Sequence, residues 1–252
     1  MSTGDHRITH LELVAARAWP AAETERLEGW MLRYSDGITW RANSVLPCYD
    51  LIECSLDKAI DHVIEFYEKR GTPPTFKINP ESRPSNLDEE LEERGFRKEM
   101  ITHVQTVDLV DCLKAPSSFS VKVADSLDRD WIAAYGRLAG FDEKTLDARL
   151  KIMERIRPQT GFACVRAGGE IVGIGLGVIE NHLMGLFGII TSLEHRKKGV
   201  GVSVNCALVE WAKNNGATQL YLQVEATNEP AMALYAKHGF KTAYDYWYRI
   251  LR

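Results

Sequence analysis

A faint internal repeat runs through this chain, and a repeated unit restricts the folds that the chain can adopt. In the first copy, an apolar-striped helix predicted over residues 56–70 ends at Gly71. A short strand over 75–78 follows, and a second helix over 86–94 leads into Gly95-Phe96. Both glycines stand where a left-handed residue commonly ends a helix.

The second copy has the same order of elements. A helix predicted over residues 199–215 ends at Gly216, a strand over 219–224 follows, and a helix over 228–238 leads into Gly239-Phe240. The interval from the helix-ending glycine to the Gly-Phe pair is 24 residues in the first copy and 23 in the second. Alternating helices and strands in two related halves predict an α/β fold.

Charge is distributed unequally between the two halves. Residues 1–115 carry 14 basic and 21 acidic side chains, net −7, whereas residues 116–252 carry 17 basic and 14 acidic, net +3. The boundary lies in a segment, 111–118, whose proline and paired serines have the character of a linker. We therefore predict two domains, 1–115 and 116–252.

A cluster of basic residues and glycines precedes the long helix of the second copy. The apolar, β-prone segment 185–191 is followed by Arg196-Lys197-Lys198 and then by Gly199-Val200-Gly201. Glycines let the backbone turn tightly with its amide N–H groups exposed, and a helix N-terminus adds about half a positive charge. This combination predicts a phosphate-binding loop; a solvated basic run before an ordinary glycine turn is the alternative. The dinucleotide fingerprint and the Walker loop are excluded, because neither GxGxxG nor GxxxxGK[ST] occurs.

The elements on either side of this loop are apolar. The following helix carries a stripe that predicts packing against a sheet, formed by Val200, Val204, Ala207, Leu208 and Trp211. Gly173, Gly175 and Gly177 recur in an apolar strand candidate, where we interpret them as marks of bulges or close packing. The loop is therefore expected to rest on a rigid base.

A second group of polar residues follows the strand at 219–224. Asn228 is a favourable helix N-cap, and Pro230 lies in the first turn, where its missing N–H costs little. Tyr235 comes two helical turns after Asn228, which would place its ring on the same side as the cap. The phenol and the amide could thus face one groove; the alternative is that Tyr235 belongs to a core-facing stripe.

The order of these residues resembles the GNAT superfamily of N-acetyltransferases. Arg196-Lys-Lys-Gly199-Val-Gly201 matches that family's R/Q-x-x-G-x-G/A loop, and residues 228–240 match its N-x-x-A-x-x-L/F-Y-x-x-x-G-F segment. The resemblance is clearest over residues 160–252, with departures from the common pattern at Thr191 and Leu193. It implies an α/β (α+β) fold of two GNAT-like mixed-sheet domains, of which the N-terminal one is partial or degenerate.

The resemblance also implies a coenzyme site, with acetyl-CoA as cosubstrate and no metal. Its pyrophosphate would be held largely by backbone amides of Arg196, Lys197, Lys198, Gly199, Val200, Gly201 and Val202. The main chain of Ile189, Ile190 and Thr191 would bond to the pantetheine arm, and Asn228 would lie near its thiol end.

Two side chains are candidates for proton transfer. The resemblance implies that Tyr235 protonates the departing thiolate, and a phenol, with an ordinary pKa of about 10, suits that role. Glu225 is our candidate for the base that takes a proton from the amine, directly or through water; a solvent-facing glutamate is the alternative. Direct transfer requires no nucleophile, and we interpret Cys206 as structural.

The first copy lacks these features. The segment before its long helix has no Gly-x-Gly and no basic cluster, and Asp50 and Glu53 would oppose a pyrophosphate. The segment 86–93, equivalent to 228–235, contains no tyrosine. This resembles the tandem GNAT layout, as in mycothiol-synthase-like enzymes, in which one half lacks a working coenzyme site.

Two strands are predicted, one on each side of the Ser35-Asp36-Gly37 turn. Their side chains could line a substrate groove or a domain contact, and for the aromatic ones packing is favoured. They are Trp30, Arg33, Tyr34, Trp40, Arg41 and Asn43.

The sequence therefore predicts an N-acetyltransferase that moves acetyl from acetyl-CoA to a primary amine by direct attack. A non-catalytic module that senses acyl-CoA is the alternative, against which the retained Tyr235 argues. The acceptor would be a small molecule or a peptide; its identity and the oligomeric state stay open, with a homodimer as one candidate. Nucleic acid is not an expected partner, because the chain has 31 basic and 35 acidic residues.

A cytoplasmic location is expected. The longest apolar stretch, 171–179, is far shorter than the roughly 20 residues of a membrane span, and the N-terminus has no signal-peptide core. The 5 cysteines are scattered without a CxxC pair, so we expect reduced thiols rather than disulfides.

Overall fold

The computed structural model describes residues 7–112 and 118–252, so most of the predicted linker lies outside the described residues. The helices are α1 (Arg7–Ala18), α2 (Leu56–Glu68), α3 (Leu87–Glu93), α4 (Arg129–Ala139), α5 (Glu143–Glu154), α6 (Val200–Asn214) and α7 (Glu229–Ala236). The strands are β1 (Glu23–Leu27), β2 (Trp30–Tyr34), β3 (Leu46–Pro47), β4 (Thr75–Ile78), β5 (Arg97–Asp108), β6 (Val121–Ala124), β7 (Gln159–Ala167), β8 (Glu170–Glu180), β9 (Leu183–Thr191), β10 (Gln219–Glu225) and β11 (Lys241–Ile250).

The chain forms two compact units that are interleaved in sequence. The first unit takes Met1–His103, Ala148–Arg155 and Tyr244–Arg252, and the second takes Val104–Asp147 and Ile156–Ala243. As a result α5, β5 and β11 contribute residues to both units. Whether residues 1–115 and 116–252 act as two domains stays a prediction.

The second unit is built on a mixed sheet with the strand order β5-β10-β9-β8-β7-β6. Neighbouring strands from β6 to β9 pair antiparallel, whereas β10 pairs with β9 in parallel after the crossover through α6. This arrangement confirms the predicted α/β class and places the start of α6 directly after the end of β9.

Glycines in β8 allow α6 to approach the sheet closely. A Cβ atom at Gly173 would lie 2.3 Å from Val200 Cγ1, and one at Gly175 would lie 2.6 Å from Val204 Cγ1. Because real Cβ contacts are longer than this, any larger residue would push α6 away from the sheet. The interpretation of these glycines as marks of close packing is therefore confirmed.

The first unit contains an antiparallel sheet in the order β1-β2-β3, and β11 lies between β4 and β5. The strand predicted after the Ser35-Asp36-Gly37 turn is wrong, because Trp40–Ala42 forms a 3₁₀ turn. The Asn43 carboxamide explains the difference: it accepts hydrogen bonds from the Ser35 and Gly37 amides and donates to the Ser35 and Thr39 carbonyls. These bonds curl the chain and prevent a hairpin.

The two copies of the repeat have the same backbone order. Gly71, Gly95, Gly216 and Gly239 have positive φ angles, between 64° and 86°, as predicted for residues that end helices. In the first copy, Val45 forms a parallel bridge to Phe76 of β4, as β9 does to β10 in the second. The repeat is therefore present at the level of the backbone.

Arg249, only 4% exposed, is paired with Asp88 in the first unit. Its Nε and Nη2 atoms donate to the two Asp88 carboxylate oxygens at 2.8 and 3.1 Å, and the Trp247 indole donates to the same carboxylate at 2.8 Å. Burial alone would raise the pKa of Asp88, but these hydrogen bonds from Arg249 and Trp247 outweigh it and lower the pKa. The carboxylate therefore stabilises the fold while it is ionised.

Asp88→Asn is expected to lower the free energy of unfolding by about 1–3 kcal/mol at pH 7, because the buried Arg249 guanidinium loses two charge-assisted hydrogen bonds and keeps only Glu92, at 3.3 Å, as a counter-charge. A carboxyl group with a lowered folded-state pKa contributes stability above its unfolded pKa of about 4 and loses it as the pH falls. The difference in free energy of unfolding between wild type and variant, measured by urea unfolding, should therefore be smaller in acid than at pH 7. Glu89→Gln, an exposed change on the same helix, is the control; an equal gap for Asp88→Asn at both pH values would contradict the assignment.

Candidate active site

The parallel pair β9 and β10 separates towards its carboxyl end. Pairing runs from Leu183 opposite Gln219 to Leu186 opposite Leu222, although β9 continues to Thr191 and β10 to Glu225. Beyond Leu186, the edge of β9 that faced β10 is therefore left without a strand partner among the described residues. Main-chain N–H and C=O groups at such an edge can bond to an extended ligand.

A bulge lies in the separated part of β9. The register with β8 shifts opposite residues 187–190, and Gly188 has a positive φ of 55°. A Cβ atom at Gly188 would lie 3.9 Å from the ring of Tyr135 on α4, which is buried. Bulges commonly direct a strand away from regular pairing next to functional sites. The half-buried Ile189, Ile190 and Thr191 follow the bulge.

The loop between β9 and α6 has a strained backbone. A 3₁₀ turn, Leu193–His195, is followed by Lys197 at φ 60° and by Gly199, the N-cap of α6, at φ 89°. A side chain in the left-handed region costs about 1–2 kcal/mol, so the conformation of Lys197 is imposed by the loop as a whole.

This loop presents backbone amides that the protein itself does not use. The first described amide to bond back into α6 is that of Ser203, which donates to the Gly199 carbonyl at 2.9 Å. Across the described part of the chain, no group accepts a hydrogen bond from the amides of residues 197–202. Arg196, Lys197 and Lys198 are exposed and form no ion pair with a described residue. The loop is thus rich in donors and positive charge.

Three predicted segments meet at Gly201. A Cβ atom there would lie 3.3 Å from Leu234 Cδ2 on α7 and 3.6 Å from Thr191 Oγ1 at the end of β9. Val200 is buried against the sheet and Val202 is half-buried. The structure therefore brings together the loop, the open end of β9 and α7, as the sequence motifs require.

The end of β10 and the capped helix α7 carry the remaining predicted residues. Asn228 caps it, with its side-chain oxygen accepting from the Ala231 amide at 3.2 Å, as predicted. Tyr235 is 9% exposed, and its ring packs edge-on against Phe240 with centroids 5.9 Å apart. Glu225, the last residue of β10, is exposed. Burial of Tyr235 fits the core-facing alternative, and the position of Glu225 fits a solvent-facing residue.

Ser203 holds the loop in place, and the sequence analysis missed it. Its buried hydroxyl donates to the Gly199 carbonyl at 3.1 Å and accepts from the Ser118 and Phe119 amides at 3.2 and 3.3 Å. One serine in an apolar helix gives no signal for contacts so distant in sequence. The bulge at Gly188 was also missed, although a glycine inside an apolar strand is a known indication of one.

The corresponding loop of the first copy is closed by a carboxylate of the protein itself. Glu28 accepts hydrogen bonds from the amides of Ile52, Glu53 and Cys54, which lie just before α2. The Ile52 amide is the largest cause of the lowered pKa of Glu28. Counted back from the helix start, these positions correspond to Arg196, Lys197 and Lys198.

The described residues contain neither a metal-binding cluster nor a membrane-spanning helix. Within residues 7–112 and 118–252, no group of three or more His, Cys, Asp or Glu side chains is arranged to hold a metal ion. No described helix is both long and apolar enough to span a bilayer. None of the five cysteines forms a disulfide with another described residue.

Known proteins resemble this chain over nearly its whole length. A family model described as "Probable histone acetyltransferase Rv0428c C-terminal" matches residues 5–249. The chain is 32% identical over 248 residues to "Uncharacterized N-acetyltransferase YobR" of Bacillus subtilis (strain 168), covering 97% of this chain and 99% of that protein. It is 26% identical over 229 residues to "Probable histone acetyltransferase Rv0428c" of Mycobacterium tuberculosis, covering 90% of this chain and 68% of that protein.

Solved structures share the fold. A GCN5-related N-acetyltransferase from Kribbella flavida aligns with a TM-score of 0.73 and 17% identity, covering 99% of this chain and 96% of that one. A tandem GNAT protein from the clavulanic acid biosynthesis pathway aligns with a TM-score of 0.56 and 14% identity, covering 75% and 67%. Together with the sequence matches, these show that the chain belongs to the GNAT N-acetyltransferases, in the family described from the C-terminal part of Rv0428c.

Proposed function

We propose that the second unit binds acetyl-CoA and transfers its acetyl group to a primary amine on a small molecule or a peptide. The observation that carries the proposal is the run of unused amides at residues 197–202, at the N-terminus of the 15-residue helix α6. Amides and three cations that have no partner in the described part of the chain, together with a helix dipole, suit a pyrophosphate. Bound acetyl-CoA would supply the activated thioester.

The residues around the loop fit the rest of the coenzyme. The open edge of β9 at Ile189, Ile190 and Thr191 offers main-chain groups to the amides of a pantetheine arm. Asn228 uses its side-chain oxygen to cap α7, which leaves its amide nitrogen for a ligand. The site is thus complementary to an elongated, anionic cosubstrate along its length.

Tyr235 and Glu225 are the residues that we propose for proton transfer. Tyr235 would give its phenolic proton to the departing thiolate, and Glu225 would accept the amine proton through water, since it lies exposed at the strand end. A non-catalytic acyl-CoA sensor is the second candidate, and the burial of Tyr235 against Phe240 favours it. Kinetics of a Tyr235 variant separate the two.

We also propose that the first copy does not bind coenzyme A. Its loop amides already bond to Glu28, which occupies the place that a phosphate would need. The acidic Asp50 and Glu53 add unfavourable charge there. One coenzyme per chain is therefore the expected stoichiometry.

Gly201→Glu is expected to weaken acetyl-CoA binding at least about tenfold, a loss of about 1.4 kcal/mol or more. The new side chain would point into the junction with Thr191 and Leu234 and place a carboxylate beside the pyrophosphate. Isothermal titration calorimetry measures affinity and stoichiometry. Asn214→Glu adds the same charge at the far, exposed end of α6 and should bind normally. Absence of binding to the wild type would refute the proposed function.

A further inference from the structure

Asn205 is a carboxamide in a part of α6 that should be apolar. It is 1% exposed, and neither its Oδ1 nor its Nδ2 atom has a hydrogen-bond partner among residues 7–112 and 118–252. Its neighbour Val204 belongs to the apolar core, together with Leu208 one turn later. A buried donor and acceptor left unpaired destabilise the fold, whereas a leucine here would not. An asparagine at this position is favourable only if another group forms hydrogen bonds with its carboxamide in another state of the protein.

The periodicity of α6 indicates the direction in which the Asn205 carboxamide points. Asn205 follows Gly201 by four residues and is therefore on the same side of the helix, one turn further on. Helical side chains lean towards the N-terminus, so the carboxamide leans towards the junction of Gly201, Thr191 and Leu234. The flank of α6 at Ser203 is filled by the 118–119 segment.

The chemistry of Asn205 matches a secondary amide. A carboxamide offers one acceptor and two donor hydrogens, and a secondary amide offers the complementary N–H and C=O. Coenzyme A carries two secondary amides in its pantetheine arm, and the open end of β9 lies at the same junction through Thr191. Resting on the proposed function, we infer that Asn205 hydrogen-bonds to a pantetheine amide of the bound cosubstrate.

Asn205→Leu tests the inference through binding of two ligands. Coenzyme A contains the pantetheine arm, whereas 3′-phosphoadenosine 5′-diphosphate has the pyrophosphate without it. Calorimetry should show affinity for coenzyme A falling about tenfold, with affinity for the nucleotide changing less than about twofold. The unliganded variant should unfold at a higher temperature than the wild type, because two unpaired polar groups are removed.

Asn215→Leu, at the C-cap of the same helix, is the matched control. The Asn215 carboxamide is already satisfied, since Nδ2 donates to the Trp211 carbonyl at 2.8 Å and Oδ1 accepts from Gln159 at 2.6 Å. This variant should unfold at a lower temperature and keep the wild-type ratio of the two affinities.

The other possible results contradict either the inference about Asn205 or the proposed function. Equal effects of Asn205→Leu on both ligands, or none on either, would overturn the inference and leave the coenzyme site intact. A wild-type protein that binds the nucleotide as tightly as coenzyme A would do the same, because the arm would then contribute nothing. Failure of the wild type to bind either ligand would instead refute the proposed function.

Discussion

Tyr235→Phe is expected to lower kcat for acetyl transfer by about 10²- to 10⁴-fold, the range of a lost general acid, with acetyl-CoA affinity nearly unchanged. Phenylalanine keeps the ring that packs against Phe240 at 5.9 Å, so only the hydroxyl is removed. The measurement is steady-state thiol release with a saturating amine, alongside calorimetry of acetyl-CoA. A fall in kcat without a fall in affinity locates the hydroxyl in the reaction.

The same experiment decides between the two candidate functions. A change in kcat smaller than about threefold would mean that Tyr235 only fills the core; acyl-CoA binding without turnover by any amine would favour the sensor. Tyr67→Phe is the matched control: Tyr67 is buried in the first unit and donates to the Arg33 carbonyl at 2.8 Å. That variant should lose stability and keep its kcat.

Lys77→Met is expected to lower the free energy of unfolding by about 3–5 kcal/mol, the cost of leaving one charge of a buried pair alone. Lys77 and Glu12 are 3% and 2% exposed, and their charged groups are in direct contact. The Glu12 carboxylate also accepts from the Tyr244 hydroxyl at 2.8 Å, and Lys77 Nζ lies 3.7 Å from the Tyr246 ring centroid. Urea unfolding of the full chain measures the loss.

The double variant Glu12→Leu/Lys77→Met distinguishes pairing from packing. Replacing both charges with apolar side chains of similar volume removes the desolvation cost, so it should recover most of the stability lost in Lys77→Met. If the double variant is less stable than Lys77→Met, the ion pair must stabilise the fold by more than the desolvation cost of its two charges. A loss below about 1 kcal/mol in Lys77→Met would contradict a buried charge at Glu12.

The second copy of the repeat could be predicted closely from its sequence. Helix α6 and strand β10 differ from their predicted bounds by one residue at most, because Gly199, Gly216 and the Asn228 cap are local signals. The loop before α6 follows for the same reason, since Gly199 can adopt the positive φ of 89° that this helix start requires. Residues close together in the sequence are therefore sufficient to predict these elements.

The first unit could not be predicted in the same way, because distant residues form it. Nothing near Glu28 indicates that its carboxylate bonds to amides at residues 52–54. The 3₁₀ turn at Trp40–Ala42 depends on one carboxamide, that of Asn43, which overrides the strand propensity of its neighbours. The pairing of β11 with β4 joins residues more than 160 positions apart, as in Trp247 opposite Ile78.

The pairing of β11 with β4 delays completion of the first unit during biosynthesis. The ribosome makes Tyr244–Arg252 only after the whole second unit, so the first unit lacks its last strand until synthesis ends. Until then Asp88 lacks Arg249, and Glu12 lacks the Tyr244 hydroxyl. The amino-terminal part of this nascent chain can therefore not be completed ahead of the rest.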